Sequence, residues 1–412
     1  MPQQARTVNG VTDEAVRPVP TVTLEEGGVD IIDPLAEEWR RLCDEGPSDE
    51  PFYRPEWIRA YVRAFEPAKR LMVITARVGG RLEAVLPLIR ERALWCGLPV
   101  TRLRGAANCH SCRFDAVQGA GIEGEAAVLA IWNFLKRLPG WDVLQLSDVP
   151  QSGALERLWE AARLDGLLTG RGESKGSPYI PLSGFSSDEE PWRSNSSANF
   201  RSSMRKRIRR LSARGPLRLL RIETADPHFM QLFYDLEKAG WKGNGGTAIA
   251  CHQNTRTFYD EIAQNADRFK YLSLYFLEVN GQMIAANLGL SRHGRYFSLK
   301  LAMNENYREF GPGHLMINAG VRDCVKRGFN QYDFTGPWAE YERTWTSHLR
   351  PHFGFWVFRR GAYGRVLHTV RFQARACVKK MLRGTRRGRA ALPPVSGGGP
   401  LHLGVSNSPP RG

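Results

Sequence analysis

Residues 296–335 read YFSLKLAMNENYREFGPGHLMINAGVRDCVKRGFNQYDFT, and this stretch decides the fold. Tyr296, Phe297, Leu299, Leu301 and Met303 make a strand rich in large apolar residues. Gly311-Pro312-Gly313 breaks the chain, after which Leu315, Met316, Ala319, Val321, Cys324 and Val325 recur at roughly helical spacing. Arg327-Gly328 supplies a basic last turn and a stop, and Tyr332-Asp333-Phe334 a second short strand. A glycine-rich turn that feeds a helix aims backbone N–H groups outward, and the helix dipole adds positive potential there. The turn suits a phosphate or pyrophosphate, although a plain helix start uses the same glycines.

Upstream, YLSLYFLEVNGQMIAANLGLSRHG reads as strands joined by Asn280-Gly281 and His293-Gly294, both hairpin signals. LRLLRIET is a further strand, and DPHFMQLFYDLEKAGWKG a helix with Asp226 as N-cap and Pro227 at its first position. NFRSSMRKRIRRLSARG carries Phe200, Met204, Ile208 and Leu211 at helical spacing, with Arg and Lys on the other faces. It reads as a solvated helix joining two halves, or as a contact to nucleic acid or an anionic substrate. Residues 21–180 run helix, helix, hairpin, strand, helix, strand, helix. Downstream, residues 336–348 read as a short helix and HFGFWVFRRGAYGRVLH as a last hairpin. A basic amphipathic helix follows, with Val366, Val370, Cys377 and Met381 on one stripe. Packing on the domain, or plain solvation, is the favoured role of that helix over contact with an anionic membrane surface.

The expected organisation is an α/β protein with mixed sheets in two tandem domains. Residues 1–20 form a disordered N-terminus, 21–182 a first domain, 183–199 a polar linker, 200–365 a second domain, and 366–412 the basic helix with a disordered tail. At 412 residues, 42% hydrophobic and 24% charged, the chain has the composition of a soluble globular protein with room for two cores. No apolar run is long enough to span a bilayer, and the N-terminal stretch has no apolar core of the kind a signal peptide needs, so a cytoplasmic location is expected. The net charge of +16 is concentrated. Residues 201–221 hold nine Arg/Lys and residues 343–412 fourteen, with no acid in either, which leaves the rest at −7. That distribution weakens a general nucleic-acid reading, which needs a basic face on the folded domain. Seven scattered cysteines describe no disulfide framework. Cys109-His110-Ser111-Cys112 has C-x-x-C spacing without a second ligand pair, so it reads as a loop with two half-buried thiols and no metal is expected.

Arg308, two residues, Gly311, one residue, Gly313 resembles the Arg/Gln-x-x-Gly-x-Gly/Ala pattern of the GNAT acyltransferase superfamily, strand before and helix after. The resemblance narrows with Gly240-Trp241-Lys242-Gly243, Gly246-Thr247-Ala248-Ile249, Tyr332-Asp333-Phe334 and Tyr341, which occur in that order. Together they resemble the BioF-like/CelD-like acetyltransferases, bacterial proteins akin to the FemAB peptidyltransferases with their paired GNAT folds. That resemblance implies two GNAT-like domains, the first degenerate: Gly119 to Gly124, in GAGIEG, is its nearest loop candidate and lacks the preceding Arg or Gln. A structural or acceptor-side role follows for the first half.

The co-substrate implied is acetyl-CoA or another acyl-CoA. Arg308 and the amides around Gly311, Gly313 and His314 would hold the pyrophosphate, and backbone groups from Leu301 through Met303 to Asn304 would polarise the thioester carbonyl. Tyr341 is the expected acid for the leaving thiolate and Asp333 the expected base. Trp241 and Lys242, in a glycine-flanked loop, are expected to line the acceptor cleft. The family commonly has Lys after this Tyr, whereas here Glu342 follows Tyr341. The function implied is acyl transfer to the amine or hydroxyl of a small molecule or glycan, in exopolysaccharide- or cellulose-related metabolism. Two alternatives stand beside it: a FemAB-like aminoacyl-tRNA-dependent ligase, the only reading that brings in tRNA, and a non-catalytic GNAT-like scaffold.

Overall fold

A computed structural model describes residues 18–47, 49–174, 176–186, 189–240, 243 and 245–374. The expected disordered segments, apart from residues 18–20 and 366–374, and the stripe positions Cys377 and Met381 lie outside the described residues.

The first half follows the expected order. Strand β1 (Thr21–Gly27) leads to α1 (Ala36–Glu45) and α2 (Pro55–Phe65), then the hairpin β2 (Arg70–Val78) and β3 (Arg81–Trp95). Gly79 and Gly80 turn that hairpin with φ of 58° and 85°, left-handed values that glycine adopts without strain. Next come β4 (Leu98–Gly105), β5 (Val117–Gln118), α3 (Gly121–Leu135), β6 (Val143–Pro150), α4 (Ala154–Leu164) and β7 (Leu168–Glu173). The second half contains β8 (Ser177–Pro181), α5 (Ala198–Ser212), β9 (Leu217–Ile222), α6 (Pro227–Ala239) and α7 (Gln253–Arg268). After these run β10 (Leu272–Val279), β11 (Gln282–Arg292), β12 (Arg295–Met303), α8 (Pro312–Lys326), β13 (Gln331–Asp333), β14 (Leu349–Arg350), β15 (His352–Phe358) and α9 (Ala362–His368). Asp226 caps α6 by accepting the His228 N–H at 2.7 Å, as its position before Pro227 implied.

Two mixed sheets result, and they divide the chain differently from the expected ranges 21–182 and 200–365. The first runs β1-β2-β3-β4-β6-β15-β7 with β5 beside β3; the second runs β14-β8-β13-β12-β11-β10-β9. Each half lends a strand to the other. β8 pairs with β13 in the second sheet, while β15 inserts between β6 and β7 in the first. Phe355 and Val357 of β15 are buried with Leu144, Leu146 and Trp159 of the first half. An apolar strand advertises burial on a sheet and carries no address for which one.

Three local expectations are corrected. The polar stretch 183–199 is no free linker, because Trp192 is buried against Trp345 (ring centroids 5.1 Å) and Phe200 (5.9 Å). The segment after β15 turns at Gly361 (φ 136°) into α9 instead of returning as a hairpin strand. In α9 it is Leu367 that is buried, while Val366 of the expected stripe is 46% exposed. Helix α5 is amphipathic as read: Met204 and Leu211 are buried, and Phe200 and Ile208 pack beside them.

The halves share one core. Trp39, Phe52, Trp57 and Tyr61 of α1, α2 and the turn between them pack with Phe233, Phe258, Tyr259 and Ile262 of α6 and α7. Ion pairs seal its edge. Arg113, fully buried, joins Glu50 and Asp333, and Arg295 pairs with Glu50 at 3.1 Å. Among the described residues no helix is long and apolar enough to cross a membrane.

Candidate active site

The site begins where two parallel strands separate. β12 and β13 pair in parallel over three positions, Arg295↔Gln331, Tyr296↔Tyr332 and Phe297↔Asp333. β13 then ends while β12 runs on to Met303. Thr335 fixes the fork. Held at φ 61°, it donates its hydroxyl to the Ser298 carbonyl (2.7 Å) and its N–H to Asp333 Oδ1 (2.8 Å). A cavity of about 960 Å³ opens beyond it. Ser298 to Met303 form one wall, Phe334 to Pro337 another, and Arg308, Gly311, Pro312, Gly313 and His314 one end. The first half contributes Asn108, Cys109, His110 and Cys112 to the lining, with Asp148 and Ser174.

At the loop end, Gly311 sits at φ 60°, ψ 57° and hands the chain to α8 through Pro312 at the first helical position. A side chain at Gly311 would collide with the Arg207 guanidinium, reaching over from α5. One at Gly313 would start 3.4 Å from Leu301 and 3.8 Å from the Met303 sulfur. The first-turn amides of Gly313 and His314, the exposed Arg308 and the nearby Arg207 concentrate positive potential there. His314 is neutral: burial, then the Arg207 charge, push its imidazole down to about 4. Its Nδ1 accepts the Trp345 indole N–H at 3.3 Å, which leaves the proton on Nε2. Leu301 and Met303 lie against Gly313 at this end of the cavity.

Asp333 is the prediction the structure overturns. It is 0% exposed and does not line the cavity. Its Oδ2 accepts Arg113 Nη2 and Arg350 Nη1, both at 2.6 Å, and Gln331 Nε2 at 3.2 Å. Burial favours its protonated form, but Arg113 and Arg350 outweigh burial and hold the carboxyl below its ordinary value. A doubly paired carboxylate is a poor base and a good clamp between the halves. Tyr341 does line the cavity, 44% exposed. Burial of its hydroxyl and the adjacent Glu342 keep the phenol protonated above its ordinary range. Trp241 and Lys242 lie outside the described residues; the adjoining Gly240 lines the cavity.

Glu342 is the residue the sequence reading passed over, treating it only as a departure from a Tyr-Lys pair. It is 5% exposed and lines the cavity. Oε2 accepts the Ala339 N–H at 2.8 Å, and Tyr341 is the residue before it in the chain. Burial pushes its carboxyl up to about 7. The two cysteines, read as a loop without a site role, also face the cavity. Both are free thiols, and burial holds Cys112 up at about 11.

The model of the acetyltransferase (GNAT) domain family matches residues 198–343. The solved structure of FemX superposes with a TM-score of 0.56 at 12% identity, over 81% of this chain and 98% of that one. Residues 198–343 are a GNAT domain, and the chain as a whole has a fold like that of FemX. A tandem GNAT protein from the clavulanic acid biosynthesis pathway is a weaker likeness, with a TM-score of 0.43 at 11% identity over 83% of this chain and 99% of that one. No curated protein sequence matches this chain. The matched segment contains the loop, the fork and Tyr341–Glu342, whereas the 108–112 wall comes from outside it.

Proposed function

We propose that the protein is an acyl-CoA-dependent N- or O-acyltransferase of the BioF-like/CelD-like kind, acting on the amine or hydroxyl of a small molecule or sugar. A single cavity joining the Gly311–His314 helix start to Tyr341 and Glu342 carries this reading. Arg308 and the first-turn amides bind and orient the pyrophosphate of acetyl-CoA or a longer acyl-CoA. Glu342, poised near neutrality, takes the proton of the attacking amine or hydroxyl. Tyr341 gives its hydroxyl proton to the departing thiolate and recovers one from the adjacent Glu342, so the protons balance. A role in exopolysaccharide- or cellulose-related metabolism rests on the sequence resemblance.

The test is direct. Acetyl-CoA and longer acyl-CoAs at 100-fold above Kd should stabilise the wild type by about 2.7 kcal/mol. No melting shift with any of them sinks the reading. Glu342→Gln should lower kcat by roughly 10²–10⁴ with little change in acyl-CoA binding. Because the base works only when ionised, wild-type kcat/KM should rise with pH through about 7 and level off above it; the variant should lose that limb.

An aminoacyl-tRNA-dependent ligase is the second reading, and the exposed Arg205, Lys206 and Arg209 of α5 favour it. Stabilisation by tRNA that vanishes at moderate salt with no aminoacyl preference counts against it, since that pattern is non-specific charge binding.

A further inference from the structure

Lys300 is the only charged residue between Tyr296 and Met303. It is half-buried and lines the cavity, with Nζ 5.6 Å from the Tyr259 ring centroid. Among the described residues it makes no ion pair or hydrogen bond, and its contact with Tyr259 is supplied by a ring face. A partly desolvated ammonium without a counter-charge is unfavourable and is retained most readily where a ligand brings the missing anion. Two of the carboxylates that line the same cavity have partners of their own: Glu237 accepts the Ile249 N–H at 2.8 Å and Glu342 the Ala339 N–H at 2.8 Å.

The position of Lys300 on β12 says which substrate that ligand is. Strand side chains alternate between faces. Leu301 and Met303 lie against Gly313 on the α8 face, whereas Ala302 packs with α6 and α7 and Lys300 lies over Tyr259 of α7. The loop end and Lys300 are thus on opposite faces of one strand whose edge borders the cavity. His110, from the first half, stacks on Phe65 and meets the Tyr259 hydroxyl at 3.2 Å, which walls the Lys300 side with aromatic rings.

We propose that Lys300 anchors an anionic group of the acceptor, so that the acceptor is an amine or alcohol that also carries a carboxylate or phosphate. The anion rests against Lys300 beside Tyr259 and His110, and the nucleophile reaches the β12 edge from the face opposite the acyl-CoA. This rests on the acyltransferase reading for the meaning of "acceptor", while the anion site itself is tested separately.

The probes are two matched pairs titrated calorimetrically into the full chain: glucosamine against glucosamine 6-phosphate, and L-alaninamide against L-alanine. At least one anionic member should bind tenfold or more tightly than its neutral partner, and the pair that responds tells phosphate from carboxylate. Lys300→Met should reduce that preference to within twofold, Lys300→Arg should keep most of it, and the Kd of acetyl-CoA should stay within twofold in both. Equal binding within both pairs, no binding by any probe, or a preference that survives Lys300→Met overturns the proposal. Retained anion preference in a protein that ignores every acyl-CoA sinks the acyltransferase reading instead and leaves the anion site standing.

Discussion

The two halves begin their main helices at glycine-rich turns and put them to opposite uses. In the first half, Gly119 lies so close to Glu83 that a side chain would collide with that carboxylate, and one at Gly124 would collide with the Gly119 backbone. The glycines there bring chain against chain, and a resident carboxylate, buried and with its pKa raised by that burial, sits beside the start of α3. In the second half the space around Gly311 is taken by an arginine, and the exposed Arg308 lines the cavity beside it. One turn is filled by the protein's own acid, and the other is ringed with positive charge. The glycines alone do not distinguish them; the charge of their neighbours does.

The largest test of this division of labour concerns the clamp that lets the first half support the second. Arg113→Met should cost about 3–5 kcal/mol, because it leaves Glu50 and Asp333 buried with less compensation. Denaturant melts of Arg113→Met, Asp333→Asn and the double variant should show strong coupling. Additive losses would mean that the halves are held by the apolar core alone. The same pair predicts an acid limb. Asp333 titrates below its ordinary 3.8 when folded, so its contribution is present above that pH and lost as pH falls through the lower folded value. Asp333→Asn should remove that limb.

Next in size is Gly313→Trp, which fills the second loop. It should abolish the roughly 2.7 kcal/mol of stabilisation given by acetyl-CoA at 100-fold above Kd while leaving the unliganded melting point within a few degrees. Stabilisation that survives the substitution would place the donor elsewhere. The smallest effect is expected at the first-half turn. Gly121 has φ 71° with open space around it, so Gly121→Ala should cost about 1 kcal/mol of backbone strain and leave the acetyl-CoA shift untouched. A lost shift would show that the first half binds the donor after all.

Much of the second half was legible because its signals are local. Asn280-Gly281 and His293-Gly294 turn with φ of 48°, 77°, 44° and 68°, as their residue types require. Arg308, Gly311, Gly313, His314, Leu301, Met303 and Tyr341 all reach one cavity, since a strand, a turn and a helix bring them there within a single unit. Asp333 misled because a carboxylate at a strand end looks available until the chain that covers it is known. Arg113, 220 residues away, decides that it is a clamp. Glu342 is the converse case: burial raises its carboxyl to about 7, and no neighbour in sequence reveals burial. Lys300 did leave a trace, as a lone charge in YFSLKLAM, which a strand with an apolar partner on each face would not tolerate.

Local chemistry alone sets the strand–turn–helix unit, the glycine turn inside it and the absence of a matching Arg before the first-half turn. These depend on backbone chemistry within a few residues, where glycine, proline and spacing act directly. Long-range packing decides that β8 and β15 change sheets, that the 108–112 loop lines the cavity, and that Asp333 is paired while Glu342 is buried with a raised pKa. Those outcomes depend on contacts made across hundreds of residues, where burial and charge compensation set the chemistry of a group and its place in the chain does not.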